Sequence, residues 1–527
     1  MVASTHGQPA PEDFFRHLPA RSFSSFFATS TTDARYRRYT LVYITVFCLV
    51  WWGIYTFGRD YLDGRDMVEN FGWGMEWQWG NDKHPPLFGW ITAGWFKLFP
   101  FSDGAYYLLN QLNLGIALWL LALAMRSSMD WNRVLVAVIL TSLGTHFGPD
   151  SGYKYNANSA MLPFVAGFAW ALLEGLERDR VDRFVLAGLF AGAALLTKYY
   201  ALVMFAAIGL AIVIARRPPW RRLLKGAGIA AVPMLLLVLP HIVWSRQHGW
   251  PSVRYMHSVH PYGDFATVFT AYAITLGDCV HFSGIALLVW GASLVQRPAI
   301  RIADDSRRPR LGVLIVVLGV GLTLLSALVQ QITPVSPWLI PVMLFAGWAL
   351  VDLTPATADM RVLARRVAIG AAAYLAISVL LAAVLVRQHH AYPAPPAYAL
   401  PQTLAQDATR AYRQAFGEPV DYVAGSKWLP FTLSFYSPDH PHGLAGLDLA
   451  RSSWIDPRAL AAGNRLVICG TFVFDAADDT ACAPAAKALF GEPDLVRQLV
   501  YPVYDPPSQK TGLQRFDLLM YRPHEPG

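Results

Sequence analysis

Thr40–Trp90 reads TLVYITVFCLVWWGIYTFGRDYLDGRDMVENFGWGMEWQWGNDKHPPLFGW. Its first part, Thr40–Phe57, is an unbroken apolar run about as long as a helix needs to cross a bilayer core. Arg35, Arg37 and Arg38 precede it and place its start on the cytoplasmic side. Polarity then changes abruptly. Asp60, Asp63, Asp66 and Glu69 recur at every third position, and on a helix residues three apart are surface neighbours, so Asp66 and Glu69 share a face. Trp73, Trp77 and Trp79 follow, then Lys83-His84-Pro85-Pro86. Carboxylates, aromatic rings and a Lys–His pair at a membrane surface suit chemistry on a lipid-borne, phosphate-bearing, partly sugar-like substrate. Bilayers favour interfacial tryptophans in any loop, so this composition locates the stretch without assigning it a reaction.

A soluble chain of 527 residues would divide into several domains. Here 54% of residues are hydrophobic and only 15% charged, with a mean hydropathy of +0.33. Apolar runs of about 15 to 22 residues recur from Thr40 to Val386, each near bilayer-spanning length. The net charge of +7 invites a nucleic-acid reading, but the cations sit in short loops between apolar runs. That is a topology signal, and no nucleic-acid partner is expected. Four cysteines are too few for a disulfide scaffold. Cys48 and Cys279 fall in apolar runs, whereas Cys469 and Cys482 fall in a polar C-terminal region, where an extracytoplasmic compartment would permit a bridge. Residues 1–38 lack an early apolar core, so a cytoplasmic tail and an uncleaved first anchor are expected.

Spans are expected near 40–57, 103–125, 133–148, 156–174, 184–197, 199–215, 226–244, 280–296, 311–330, 335–351 and 367–386. Pro86–Pro100 is short and carries Lys97, and reads as an interfacial or re-entrant helix. With about eleven spans the positive-inside rule holds at nearly every turn. Inside loops carry Arg126 and Arg133; Arg178, Arg180 and Arg183; Arg216, Arg217, Arg221, Arg222 and Lys225; Arg297, Arg301, Arg307, Arg308 and Arg310; and Arg361, Arg365 and Arg366. Outside loops carry few cations: Arg59, Arg65, Lys83, Lys154, Lys198, Arg246 and Arg254. The odd count puts the C-terminus outside. The expected organisation is a tail (1–38), a membrane region (39–387), a Pro/Ala-rich linker (388–405) and a small α/β domain (406–527). Strands are expected at Val420–Ala424, Arg465–Thr471, Leu495–Val503 and Leu513–Tyr521.

Several landmarks occur in order: Asp66, His84-Pro85-Pro86-Leu87, Lys154-Tyr155-Asn156-Ala157-Asn158, Leu196-Thr197-Lys198-Tyr199-Tyr200, Pro240-His241-Ile242-Val243-Trp244, Gly249-Trp250-Pro251 with Arg254-Tyr255, and Pro334–Pro337. In this arrangement the chain resembles the polytopic, lipid-linked-sugar glycosyltransferases of the GT-C type, which include protein O-mannosyltransferases and the aminoarabinose transferases acting on lipid A. The resemblance covers about residues 40 to 390. Two departures stand out. Many members have an Asp-Glu pair where Asp66 is followed by Met67, and some carry a second acid where this chain has Asp150, then Asn156 and Asn158.

The resemblance implies an α-helical polytopic membrane protein of about 11 to 13 transmembrane helices plus interfacial helices, with a small C-terminal α/β periplasmic domain. It implies inverting transfer of a sugar from a polyprenyl-phosphate donor to an acceptor hydroxyl at the periplasmic face of a bacterial inner membrane. The acceptor class stays open between lipid A, another cell-envelope glycan and a protein. Membrane lipids are the remaining expected partner. The chemistry fits the residues independently. A carboxylate, Asp66 or Glu69, would accept the acceptor proton. Lys83, His84, Lys198 and Arg254 would receive the departing lipid phosphate. Asn156, Asn158 and Tyr199 are the expected substrate contacts. No metal-ligand spacing occurs and no cofactor is expected, which leaves only a divalent cation open. Each residue has a plainer role in view: Asp66 as a partner for Arg59 or Lys83, His84 as a helix-start residue, Asn156 and Asn158 as caps, Lys198 as a snorkelling chain, Arg254 as a solvated loop residue. The rival class is a transporter or flippase of a lipid-linked saccharide, which would place charges within spans and show internal repeats. Neither pattern occurs here.

Overall fold

The computed structural model describes residues 31–59, 62, 65–295, 310–355, 358–472 and 480–523. Asp60, Asp63, Arg297, Arg301, Arg307, Arg308 and most of the expected tail lie outside these residues. The apolar part comprises α1 (Thr31–Gly58), α2 (Asp66–Met75), α3 (Leu87–Phe96), α4 (Asp103–Met125), α5 (Trp131–Ser142), α6 (Ala157–Ala160), α7 (Leu162–Arg178) and α8 (Val181–Leu195). It continues through α9 (Ala201–Arg216), α10 (Trp220–Gln247), α11 (Pro251–Val259), α12 (Phe265–Leu294), α13 (Leu311–Val329), α14 (Ile340–Met343), α15 (Ala346–Asp352) and α16 (Met360–His390).

Among the described residues seven helices are long and apolar enough to cross a membrane: α1, α4, the α6–α7 run, α10, α12, α13 and α16. The other four expected spans coincide with α5, α8, α9 and a broken run over 336–352. Helix α5, at 12 residues, rises only about 18 Å, well short of the hydrocarbon thickness of about 30 Å. It is buried along nearly its whole length because α1, α15 and α16 pack around it. Apolarity alone does not distinguish such an enclosed helix from a crossing. The 336–352 run is interrupted by Pro337 and Pro341, and starts as a 3-10 turn, Ser336–Leu339. Pro86–Pro100 forms the short α3, and the 184–215 stretch breaks around Thr197–Tyr200, between α8 and α9.

The C-terminal domain holds α17 (Pro401–Phe416), β1 (Tyr422–Gly425), α18 (Leu429–Tyr436), β2 (His442–Gly443), α19 (Pro457–Ala462), β3 (Arg465–Gly470), α20 (Cys482–Phe490), β4 (Leu495–Asp505) and β5 (Lys510–Tyr521). The strand order is β2-β1-β3-β5-β4. β1 pairs in parallel with β2 and β3, while β5 pairs antiparallel with β3 and β4. The four expected strands are present with shifted ends, and the two-residue β2 is an addition. Helix α17 shows why the domain folds as it does. Pro401 opens it, Leu404, Ala408, Ala411 and Tyr412 form its buried stripe, and Gly417 at φ +77° closes it. The expected linker is shorter than read, since α16 runs to His390 and α17 starts at Pro401. A disulfide joins Cys469 on β3 to Cys482 at the start of α20.

The domain rests on the membrane part through α18, which packs on α2. A Cβ at Gly72 would lie 2.2 Å from the Phe431 ring, and one at Gly74 would overlap the carbonyl of Gly89 on α3. Two glycines on one short helix therefore allow it close contact with both neighbours.

Candidate active site

Asp66 starts α2, where a carboxylate suits the positive end of the helix dipole. Asp66, Glu69, Asn70 and Trp73 follow a helical repeat along one face and line a pocket with about 370 Å³ of empty space. The chain then turns back. Oδ1 of Asn81 accepts from the backbone N–H groups of Lys83 (2.9 Å) and His84 (2.8 Å), fixing the turn that aims both side chains at the pocket. From the segment between α5 and α6, Asn156 caps α6 with its Oδ1, accepting from Asn158 and Ser159. Its Nδ2 donates to Oδ2 of Asp66 at 2.9 Å. Lys198 enters from the break between α8 and α9 and donates to Oδ1 of Asn158 at 2.6 Å. Tyr255 on α11 completes the wall.

Lys83 Nζ lies 2.6 and 2.8 Å from the two oxygens of Glu69, and 5.5 and 5.4 Å from the ring centroids of Trp73 and Tyr255. Burial nevertheless pushes the Glu69 carboxyl up to about 7, outweighing the pull of Lys83. Burial draws Lys83 down, but Glu69 wins and its ammonium stays above the ordinary value. His84 sits against Trp73, Phe88 and Tyr255. Burial first, and then Lys198 and Lys83, hold it well below the usual imidazole range, so it is neutral. Burial lowers Lys198 to about 8 against the opposing pull of Asp66. Both oxygens of Glu69 are taken by Lys83. Among the described residues no three of His, Cys, Asp and Glu are grouped to hold a metal ion.

Of the residues expected at the site, Asp66, Glu69, Lys83, His84, Asn156, Asn158 and Lys198 meet in this pocket. Two stand apart from it. Arg254 is exposed and donates to the His248 carbonyl, and Tyr199 bonds His241 at 2.6 Å. Neighbours on a helix point about 100° apart, so on α11 it is Tyr255, not Arg254, that reaches the pocket. The two asparagines are occupied in holding Asp66 and Lys198 rather than pointing free into the space.

The C-terminal domain was the larger omission. Arg451 pairs with the buried Asp82 at 2.6 Å, His442 with Glu76 at 2.8 Å, and Phe431 packs edge-on to Trp73. Arg65, one residue before Asp66, lies over the ring of Trp428. The domain thus braces both ends of the segment that carries Glu69, Lys83 and His84. No spacing within Glu76–Asp82 announces partners more than 360 positions away.

Fold and pocket together define a polytopic membrane protein with a carboxylate and buried cations gathered beneath an α/β domain. Residues 83–244 match the family described as dolichyl-phosphate-mannose-protein mannosyltransferase. A relative from Rhizobium johnstonii, the lipopolysaccharide core galacturonosyltransferase RgtB, is 25% identical over 248 residues, 45% of this chain and 47% of that protein. The match thus spans about half the length of that curated relative. The crystal structure of ArnT from Cupriavidus metallidurans bound to undecaprenyl phosphate superposes with a TM-score of 0.59 at 14% identity, covering 93% of this chain and 99% of that one. The fold is therefore that of ArnT, and the resemblance to GT-C glycosyltransferases read from the sequence is borne out.

Proposed function

We propose that this protein is an inverting glycosyltransferase that moves a sugar from a polyprenyl-phosphate donor to an acceptor hydroxyl at the periplasmic face of a bacterial inner membrane. The observation that carries the reading is the single pocket in which Asp66 faces Lys83, His84 and Lys198. Asp66 takes the proton of the acceptor hydroxyl as its oxygen attacks the anomeric carbon. The bond between that carbon and the phosphate oxygen breaks on the opposite face, and the pair of electrons leaves with the lipid phosphate. Lys83 and Lys198 receive the developing charge, and neutral His84 donates a hydrogen bond to it. Asn156 orients Asp66, and Glu69 orients Lys83.

The ArnT structure holds undecaprenyl phosphate, which supports a polyprenyl-phosphate donor. The name of the Rhizobium relative favours a lipopolysaccharide core glycan as the acceptor and a hexuronic acid among the sugars to try first. The test is transfer by the purified full-length chain from a panel of undecaprenyl-phosphate sugars to rough lipopolysaccharide, read by mass shift of the acceptor. Absence of transfer from every donor, with the donors shown to bind, would refute the assignment.

A further inference from the structure

A second hollow lies on the far side of α2 from Asp66. Phe101, Phe435, Tyr436 and His440 form one wall of it, and the exposed face of α17 forms the other with Gln402, Gln406, Arg410 and Arg413. Its empty space, about 1150 Å³, exceeds that of the Asp66 pocket. α18 separates the two: Phe431 packs on Trp73, which lines the catalytic pocket, while Phe435 and Tyr436 line this groove. The groove joins both domains, because Tyr436 donates to Asp103 of α4 at 2.8 Å and Phe101 precedes that helix.

Its chemistry is specific. The guanidinium groups are not free cations: Arg413 is paired with Asp439, and Arg410 with Asp407 at 2.7 Å. The wall is therefore close to charge-neutral, which disfavours an anionic lipid headgroup. Paired guanidiniums keep unused N–H donors in fixed planes. The amides of Gln402 and Gln406, one helical turn apart, offer both donors and acceptors and are exposed. Phe101 is 42% exposed despite its contacts with Phe71, Phe96 and Phe435. His440 lies against it with ring centroids 3.9 Å apart, on a left-handed backbone at φ +45°, which histidine adopts more readily than most side chains. A partly exposed aromatic ring beside planar amides and neutralised guanidiniums suits the C–H groups and hydroxyl edges of a sugar.

We infer that the groove between α17 and α18, floored by Phe101, binds a neutral oligosaccharide, and that it holds the glycan of the acceptor at a distance from the reacting hydroxyl. The second half of this inference rests on the transferase reading; the binding itself does not. The probe is a lipid-free oligosaccharide of neutral hexoses, titrated calorimetrically into the full-length chain in detergent. Saturable binding is expected, weakened about tenfold by Gln406→Ala and by Phe101→Leu, which keeps the apolar packing and removes the ring. In transfer assays the same variants raise KM for the glycan-bearing acceptor about tenfold while kcat and donor KM hold. No binding of the oligosaccharide to wild type, or binding indifferent to both substitutions, overturns the inference. So does binding to vesicles containing anionic lipid, but not to the oligosaccharide, that falls with Gln406→Ala. Oligosaccharide binding without transfer from any donor would instead count against the transferase reading and leave the groove assigned.

Discussion

Asn156 donates its side-chain N–H to Asp66 across a separation of 90 residues, at 2.9 Å, while its own carbonyl oxygen caps helix α6. One amide thus ties the start of α2 to the start of α6 and fixes the direction in which the Asp66 carboxylate points. If Asp66 is the base, Asp66→Asn lowers kcat by about 10² to 10⁴ with donor binding retained. Asn156→Ala leaves the carboxylate in place but loosens its aim, and lowers kcat by about tenfold. Single-turnover transfer by variants matched for melting temperature checks both. Near-normal turnover in Asp66→Asn would remove it from the chemistry.

Glu69 gives a prediction with a defined sign. Its folded pKa of about 7 lies above the ordinary carboxylate value of 4.5 because burial penalises the charge. The folded state therefore favours the protonated form. This contribution to stability is complete below pH 4.5 and is lost as pH rises through about 7. Thermal melts should show wild type gaining more on going from pH 8 to pH 5.5 than Glu69→Gln gains. The full Lys83–Glu69 ion pair exists only above that midpoint. Transfer should accordingly show an acid limb near pH 7 that Glu69→Gln abolishes. A melting difference between the two proteins that does not change with pH would rule out titration of Glu69 in this range.

Lys198 carries the opposite limb. Burial lowers its ammonium to about 8, so its charge is present below that pH and fades above it. Apparent KM for the donor should rise between pH 7.5 and 9. Lys198→Arg, whose guanidinium stays charged, should extend the flat region upward, whereas Lys198→Met should raise KM throughout. A wild-type profile in Lys198→Met would mean that the chain merely reaches toward the interface.

Arg254 marks where the sequence reading and the structure part. The expectation placed it on the lipid phosphate, but its side chain is exposed and bonded to the His248 carbonyl. Arg254→Gln should leave donor KM within about twofold, while Tyr255→Leu, which strips a wall of the pocket, should raise it severalfold. A tenfold donor defect in Arg254→Gln would restore it to the phosphate site.

Seven of the nine anticipated site residues converge because their signals were local. They are carboxylates at helical spacing, a Lys-His before two prolines, an Asn at a helix start and a Lys interrupting apolar sequence. The long apolar helices were legible for the same reason, since each run carries its own length. The shortness of α5 was not, because an apolar segment reads alike whether lipid or protein surrounds it. The bracing of the pocket by the C-terminal domain was beyond reach too. Glu76 and Asp82 look like any acids in a polar loop until the sheet folds and sets His442 and Arg451 against them. Deleting residues 390–527 would accordingly disturb the pocket as well as remove a domain.

The pair formed by Asp82 and Arg451 tests that bracing without a deletion. The Asp82 side chain is only 6% exposed, whereas Arg451 is 49% exposed. Removing the cation leaves a buried carboxylate without its partner. A fully buried pair broken this way costs about 3–5 kcal/mol, but solvent at Arg451 screens the interaction, so about 1–2 kcal/mol is expected for Arg451→Ala. That is enough to loosen the turn that aims Lys83 while the helical bundle stays folded. Donor KM should rise with little change in the main thermal transition, and limited proteolysis should open the Glu76–Lys83 segment. Asp82→Asn in the Arg451→Ala background removes the stranded charge and should restore much of the donor affinity. If the double variant is no better than Arg451→Ala, the ion pair does not govern the placement of Lys83, and the domain braces the pocket through His442, Phe431 and Trp428 instead.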